Sequence, residues 1–223
     1  NIVQDSAKYN NANAIIIFWE LANLTEGLQY RIDLMEASDL VSFTEKIESE
    51  IRLVLLNLER CPLVLFNKFS ATVFDSKLIQ TSKLSNLANR LNKFLEQLQK
   101  PNVFIVDIEK IFISEGLISL LDLRYFYLTK SLYSIKFFQA YMNHIFPIFN
   151  WVNGMSKKAI VLDCDNTLWN GVIGEDGIKG VGLGIDGIGL AFMNFQREIK
   201  NIMAKGFILA VASKNNEQDV WDM

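Results

Sequence analysis

The chain has 223 residues, half of them hydrophobic, and a formal net charge of −3 at pH 7. This length and hydrophobic content predict one large or two modest globular domains, each with its own core. The negative charge, without any polybasic run, argues against non-specific binding to nucleic acid or to a membrane surface, whose phosphate groups repel such a chain.

Cysteine content and hydropathy indicate the compartment. Cys61 and Cys164 are the only cysteines, too few for a disulfide framework and typical of a reducing environment. Apolar runs such as 14–19 are far shorter than the roughly 20 residues that a membrane helix needs. We therefore predict a cytoplasmic protein with no membrane partner.

Strands and helices alternate in the first 155 residues. Short apolar runs over 14–19, 63–66 and 103–106 predict strands, and apolar residues at helical spacing predict helices from Thr44 to Cys61 and over 84–98. Helices of this length between strands are typical of βαβ units with a parallel sheet. The fold class predicted for this part is therefore α/β.

An aromatic-rich segment follows, over 125–151. Its apolar residues are so dense that we expect a helix buried nearly all round, packing between two domains. The single histidine of the chain, His144, falls within it, and we interpret it as a partly buried helix residue.

The pattern changes after Gly154, and we predict a domain over 1–155 followed by a second over 156–223. Ala159–Leu162 reads as a fully apolar strand, and an amphipathic helix is expected over 191–205, with Gly206 as its C-terminal cap. A further strand is expected over 207–212, directly before Ser213.

Two carboxylates, Asp163 and Asp165, follow the strand at 159–162. The carboxyl ends of parallel strands are where α/β sheets bind ligands. Carboxylates this close repel each other unless a cation neutralises them, and Mg²⁺ favours such oxygen ligands. With Mg²⁺ bound, Asp163 could attack phosphorus while Asp165 shuttles the proton, and Thr167 would hold the turn. The alternative is a strand that ends in an ordinary polar turn.

Residues 163–168, Asp-Cys-Asp-Asn-Thr-Leu, resemble the first motif of the haloacid-dehalogenase (HAD) superfamily, Asp-x-Asp-x-Thr-Leu. The resemblance implies catalysis through an aspartyl-phosphate on Asp163. It also implies that a Ser or Thr at the end of the next strand hydrogen-bonds the phosphoryl group, and Ser213 matches that position. The expected catalytic residues are thus Asp163, Asp165, Thr167 and Ser213, with Asp163 and Asp165 as Mg²⁺ ligands.

The runs 163–177, 191–196 and 213–216 narrow the resemblance to the FkbH-like branch of that superfamily. The branch implies an N-terminal α/β domain similar to the SGNH-hydrolase fold, followed by a HAD-like Rossmannoid domain with a parallel sheet. The expected substrate is a phosphorylated small molecule or a carrier-bound group. The branch also implies loading of a glyceryl or acyl unit onto an acyl carrier protein.

The chain departs from these patterns at two places. The motif lysine and later acidic residues of the HAD superfamily find no match before Met223, so we expect the HAD-like domain to be incomplete at the C-terminus of this sequence. An SGNH-type esterase needs an Asp-x-x-His pair, and here Tyr141 stands three residues before His144 in place of the aspartate. We therefore predict no esterase activity for residues 1–155.

The glycine-rich stretch 171–189 contains the spacing Gly-x-Gly-x-x-Gly at 182–187. No strand precedes it, so a dinucleotide site is not expected. We predict a loop or small hairpin flap over Asp163. Cys164 is interpreted as a small core residue rather than a thioester-forming thiol, and Trp169 either gates the entrance or packs under the flap.

The leading prediction is a Mg²⁺-dependent phosphatase or phosphoryl-transfer enzyme of HAD type. The alternative is a non-catalytic binding or assembly protein that retains the HAD fold.

Overall fold

The computed structural model describes Tyr9 and residues 12–25, 29–75 and 81–223. The chain divides into two compact units, unit 1 (Asn1–Val152) and unit 2 (Asn153–Met223). The sequence predicts a change of domain at residue 156, close to this division.

Unit 1 contains a parallel sheet of three strands, β1 (Ile15–Ile17), β2 (Val64–Asn67) and β3 (Val103–Val106), in that order. Leu65 of β2 lies between Ile16 and Phe104 of its neighbours. The described helices of this unit are α1 (Leu21–Leu24), α2 (Gln29–Leu34), α3 (Ala37–Asn57), α4 (Lys83–Gln97), α5 (Ile108–Glu115), α6 (Leu117–Leu120), α7 (Leu123–Thr129) and α8 (Ile135–Val152). The predicted α/β class with a parallel sheet is confirmed.

Helices cover both faces of this sheet. Successive strand residues point to opposite faces, so the residues of one strand pack into two different cores. Val64 and Phe66 of β2 pack into a core that includes the apolar stripes of α3 and α4. Leu63 and Leu65 pack into a second core built with α5 and α8. A strand buried on both faces explains the uninterrupted apolar run that the sequence shows here.

The helix ends follow local chemistry. α4 begins after Ser82, whose Oγ accepts a hydrogen bond of 3.0 Å from the backbone N–H of Ser85. α3 begins at Ala37, well before the predicted start at Thr44. Its first two turns are mostly exposed and carry no apolar period, so the sequence pattern does not reveal them. Both helices end before the prolines Pro62 and Pro101, as predicted.

The aromatic segment forms two helices, α7 and α8, separated by Lys130 in the left-handed conformation (φ 64°). α8 buries only one stripe, Phe137, Tyr141 and Ile145. The prediction of a helix buried nearly all round is wrong, since Phe146 is 59% exposed. His144 is also exposed rather than partly buried.

Unit 2 contains two parallel strands, β4 (Ala159–Leu162) and β5 (Ile208–Val211). Its described helices are α9 (Ile173–Asp176), α10 (Gly187–Ala204) and α11 (Glu217–Asp222). α10 starts at Gly187, earlier than the predicted 191. Its first turn contains two glycines, which usually indicate the end of a helix, so the sequence pattern placed the start too late. Gly206 follows α10 with φ 93°, as expected of a glycine at a helix end.

No helix in the described part of the chain is both long enough and apolar enough to cross a membrane.

Asn67, which is 1% exposed, links the ends of β1 and β2. Its Oδ1 accepts from the Trp19 N–H (2.7 Å) and its Nδ2 donates to the Trp19 carbonyl (2.7 Å). Asn67→Ala leaves both backbone groups unpaired, so we expect unit 1 to lose about 3 kcal/mol of unfolding free energy. Chemical denaturation measures the loss. Asn86→Ala, at an exposed position of α4, is the control and should change stability by about 0.5 kcal/mol or less; equal losses would refute this role of Asn67.

Candidate functional site

The carboxyl ends of β4 and β5 lie side by side. Leu162 pairs with Val211, and the Ala212 N–H donates to the Leu162 carbonyl at 2.8 Å, so pairing continues past the strand ends. Asp163 leaves the sheet directly after β4, and Ser213 leaves it after β5. The parallel register thus brings the two predicted motifs to one edge of the sheet.

Asp163 is exposed and fixed at one oxygen. Its Oδ1 accepts a hydrogen bond of 2.8 Å from the backbone N–H of Cys164. This bond orients the carboxylate without covering it, so a solvent-borne ligand can reach it.

Asp165 is held more firmly. Its Oδ1 accepts from the Trp169 indole N–H at 3.0 Å and from the Ile173 backbone N–H at 3.2 Å. Desolvation opposes ionisation, but the Asn215 amide, the Ile173 N–H and the Trp169 indole N–H lower the pKa of Asp165 below its usual value. Asn215 Nδ2 is buried beside the carboxylate without a regular hydrogen bond of its own. The two bonds to Oδ1 are therefore the contacts that fix this side chain.

The turn after Asp165 is closed by Asn166. This residue has φ 53°, a left-handed conformation that asparagine tolerates better than most residues. Its Oδ1 accepts from the Gly171 N–H at 2.9 Å, and its own N–H donates to the Gly171 carbonyl at 3.2 Å. Thr167, predicted to hold the turn, contributes a backbone N–H bond of 3.1 Å to the Cys164 carbonyl. The side chain that closes the turn is that of Asn166.

The glycine-rich stretch folds back on this turn. Asn170 and Gly182 form an antiparallel bridge with hydrogen bonds of 3.1 and 2.7 Å. Between them lie α9 and the Asp176 carboxylate, which accepts from the Val172 N–H at 2.8 Å. The stretch is thus a short closed flap next to the carboxylates, and it contains no nucleotide-type strand–loop–helix unit.

Cys164, Trp169 and Ile173 form the small buried core of unit 2. The Cys164 side chain is completely buried, which confirms its predicted position in the core and leaves the thiol no surface for an acyl group. Trp169 is 4% exposed and packs under the flap rather than gating an entrance. A single indole therefore both fills the core and donates to Asp165.

Ser213 and Asn215 occupy the loop after β5. Ser213 Oγ accepts a hydrogen bond of 3.1 Å from the Asn215 N–H. Because the hydroxyl accepts here, its own proton remains able to donate to an anion.

The donor chemistry of Asp163 and Asp165 fits Mg²⁺, which prefers carboxylate oxygens and completes its shell with water and substrate oxygens. Within the described residues, no three His, Cys, Asp or Glu side chains cluster as a metal site. Asp163 and Asp165, which follow β4 directly, are side chains that could hold the ion.

Sequence patterns missed the groups that position Asp165. Trp169 and Ile173 act across a folded turn, and the Ile173 donor is a backbone group with no side-chain signature. Gln196 of α10 was also missed; its Nε2 donates to the Leu168 carbonyl at 2.8 Å and tethers the same turn. Asn215 could have been suspected from the Ser-Lys-Asn-Asn run at 213–216, where polar residues follow a strand end.

A solved structure has a closely similar fold. The N-terminal part of the protein BF1531 from Bacteroides fragilis, which contains a phosphatase domain and is complexed with Mg, matches 98% of this chain with a TM-score of 0.78 and 25% sequence identity. The chain spans 58% of the length of that structure. No protein-family model matches the chain, and a search of the curated proteins finds no match.

The Trp169–Asp165 bond predicts a measurable pKa change. Trp169→Phe keeps most of the packing but removes the indole donor, so the charged form of Asp165 is less stabilised and its pKa should rise toward the usual value. NMR titration of the side-chain carboxyl carbon measures it. Trp221→Phe, at a 77% exposed indole that donates to Glu217, is the matched control and should leave the pKa of Asp165 unchanged. If the pKa of Asp165 is the same in both variants as in the wild type, the hydrogen bond from Trp169 to Asp165 is refuted.

Gly189 lies close to the backbone of the flap, which leaves no room for a side chain. A Cβ there would lie 2.6 Å from the backbone nitrogen of Gly184, which cannot move away as a side chain could. We expect Gly189→Ala to destabilise unit 2 by about 1–3 kcal/mol through overpacking. Gly174→Ala, at a helical position with open space, should be neutral or stabilising. Thermal unfolding of the two variants compares them, and similar melting temperatures would contradict the close approach.

Proposed function

We propose that unit 2 is the catalytic part of a Mg²⁺-dependent phosphatase or phosphoryl-transfer enzyme of HAD type, in which Asp163 is the nucleophile. The observation that carries the proposal is the edge shared by β4 and β5. There an exposed carboxylate, a second carboxylate oriented by two N–H donors, and a serine hydroxyl come from adjacent strand ends. The fold match to the phosphatase domain of BF1531 complexed with Mg supports it.

The chemistry divides between the two aspartates. A carboxylate oxygen of Asp163 forms a bond to phosphorus while the bond from phosphorus to the leaving oxygen breaks, and Asp165 gives that oxygen a proton. Water then attacks the aspartyl-phosphate, Asp165 accepts its proton, and phosphate leaves. Ser213 donates a hydrogen bond to a phosphoryl oxygen in both steps.

The pKa of Asp165 fits the second step directly, because hydrogen bonds that favour its ionised form prepare it to accept a proton. For the first step Asp165 must carry a proton. That proton passes to the leaving oxygen as the bond from phosphorus to that oxygen breaks.

Asp163 and Asp165 would hold Mg²⁺, which would neutralise charge on the phosphoryl oxygens and reduce repulsion between the two carboxylates. Removal of the ion with a chelator should therefore abolish phosphate release.

A second candidate is a binding or assembly protein that retains the fold without turnover. It is favoured by the absence, among the described residues, of a third acidic side chain clustered with Asp163 and Asp165. In that case the chain would bind Mg²⁺ or a phosphorylated ligand and release no phosphate.

The FkbH-like resemblance extends the proposal to a phosphorylated three-carbon or carrier-bound substrate, with transfer of a glyceryl or acyl unit to an acyl carrier protein. Unit 1, similar to the SGNH-hydrolase fold by the same resemblance, would then support docking rather than ester hydrolysis. Labelled transfer to a carrier thiol that survives Asp163→Asn would separate this activity from the phosphatase.

Asp163→Asn should lower Mg²⁺-dependent phosphate release by about 10³-fold or more, because the amide cannot form the phosphoryl ester. The measurement uses a panel of phosphorylated three-carbon compounds, sugar phosphates and p-nitrophenyl phosphate. Asp186→Asn, at an exposed N-cap position where asparagine serves as well, is the control and should retain the wild-type rate.

Equal rates for wild type and Asp163→Asn would rule out Asp163 as the nucleophile. Mg²⁺ binding without any phosphate release from the panel would favour the binding protein instead.

A further inference from the structure

A cavity of about 320 Å³ lies in unit 1, at the carboxyl ends of β2 and β3. The segments that follow these strands diverge there after a last hydrogen bond of 2.7 Å from the Lys68 N–H to the Val106 carbonyl. Crevices at this end of parallel strands are the usual ligand sites of α/β folds, and the volume is at the lower end of the range for small-molecule pockets.

One wall of this cavity is fixed by α4. The Asn92 side chain accepts from the Phe69 N–H at 2.8 Å and donates to the Phe69 carbonyl at 2.9 Å. Asn92 thereby satisfies both backbone groups of a loop residue that has no strand partner. The loop is held against the helix at this point.

The opposite wall is fixed by α5. Glu109 Oε1 accepts from the Ser70 hydroxyl at 2.6 Å and from the Thr72 hydroxyl at 2.7 Å. The loop after β2 is thus tied to a helix on each side. A ligand entering the cavity would meet walls that are already in place, which lowers the entropic cost of binding.

The lining carries charges of both signs, polar side chains and a small apolar floor. Among the described residues, its ionisable groups are four carboxylates, from Asp75, Glu96, Asp107 and Glu109, and two lysine ammonium groups, from Lys68 and Lys93. Glu96 is paired with Lys68 at 2.9 Å. With that pair set aside, Asp107 and Glu109 outnumber Lys93 in the lining, and this balance of charge favours a cation over an anion.

The electrostatic environment of Lys68 agrees with this surplus. Its hydrogen bond to Glu96 raises the pKa of Lys68, burial opposes the shift, and the charges of Glu96, Asp107 and Glu109 raise it further. A phosphorylated ligand would meet repulsion at the same place.

We propose that this cavity binds a small hydroxylated amine about the size of a monosaccharide. Its ammonium group would pair with Asp107 and Glu109, and its hydroxyl groups would bond to the amide of Asn89 and the hydroxyls of Thr72 and Ser85. The site is distinct from the aspartates of unit 2 and does not depend on the function proposed for them.

The probe is D-glucosamine, and N-acetyl-D-glucosamine is its matched neutral counterpart. The full chain is titrated with each sugar at a pH where the free amine is protonated, and the backbone amide NMR shifts of residues 68–72 and 107–109 report binding. The test variant is Asp107→Asn combined with Glu109→Gln. Asparagine retains the cap of α5, and glutamine retains an oxygen for the Ser70 and Thr72 hydroxyls. Glu50→Gln on exposed α3 surface is the charge control.

We expect saturable binding of glucosamine to the wild-type chain. The affinity should be at least fivefold weaker for the acetylated sugar, and the double variant should bind glucosamine at least fivefold more weakly than the wild type. Glu50→Gln should bind glucosamine as the wild type does. Absence of saturable glucosamine binding to the wild-type chain, or an affinity difference below fivefold between the two sugars, would overturn the proposal. The comparison of the two sugars on the wild-type chain remains decisive even if the double variant fails to fold.

Discussion

Four residues of β4 pair in parallel with four residues of β5, and both strands leave the sheet at the same edge. This pairing joins two segments that are far apart in sequence, and without it Asp163 and Ser213 would not lie at one edge of the sheet. Helix α10 connects the two strands and therefore allows them to pair in parallel. Its Gln196 returns to the turn after Asp165 and ties the first motif to the element that leads to the second.

The two aspartates stand in different environments although they are two positions apart. Asp163 is exposed and contacts one backbone N–H. Asp165 is partly enclosed and accepts hydrogen bonds from the Trp169 indole, just before the flap, and from the Ile173 N–H within it. Such a difference suits a pair in which one carboxylate attacks and the other moves a proton. The flap itself depends on glycine at Gly180 and Gly189, where a Cβ would collide with backbone atoms.

Much of the fold follows from apolar runs. The strand Ala159–Leu162 was predicted with its observed bounds, because a fully apolar run of that length bounded by polar residues has few alternatives. The aromatic segment was not predicted correctly, since residue density carries no information about which helix face meets the core. Short helices such as α1 and α9 escaped prediction because a single turn has no measurable period. At the site, Asp163 and Asp165 could be predicted because they follow an apolar strand and stand two positions apart. The contact between Trp169 and Asp165 could not, because it forms only when the turn between them folds.

One of the two donors to Asp165 is the backbone N–H of Ile173. A backbone donor is specified by the path of the chain and is present whatever side chain occupies the position, with proline as the exception. The orientation of Asp165 is therefore protected against most single substitutions in the flap. The flap can accumulate sequence changes on its outer surface while the carboxylate beneath it stays aligned.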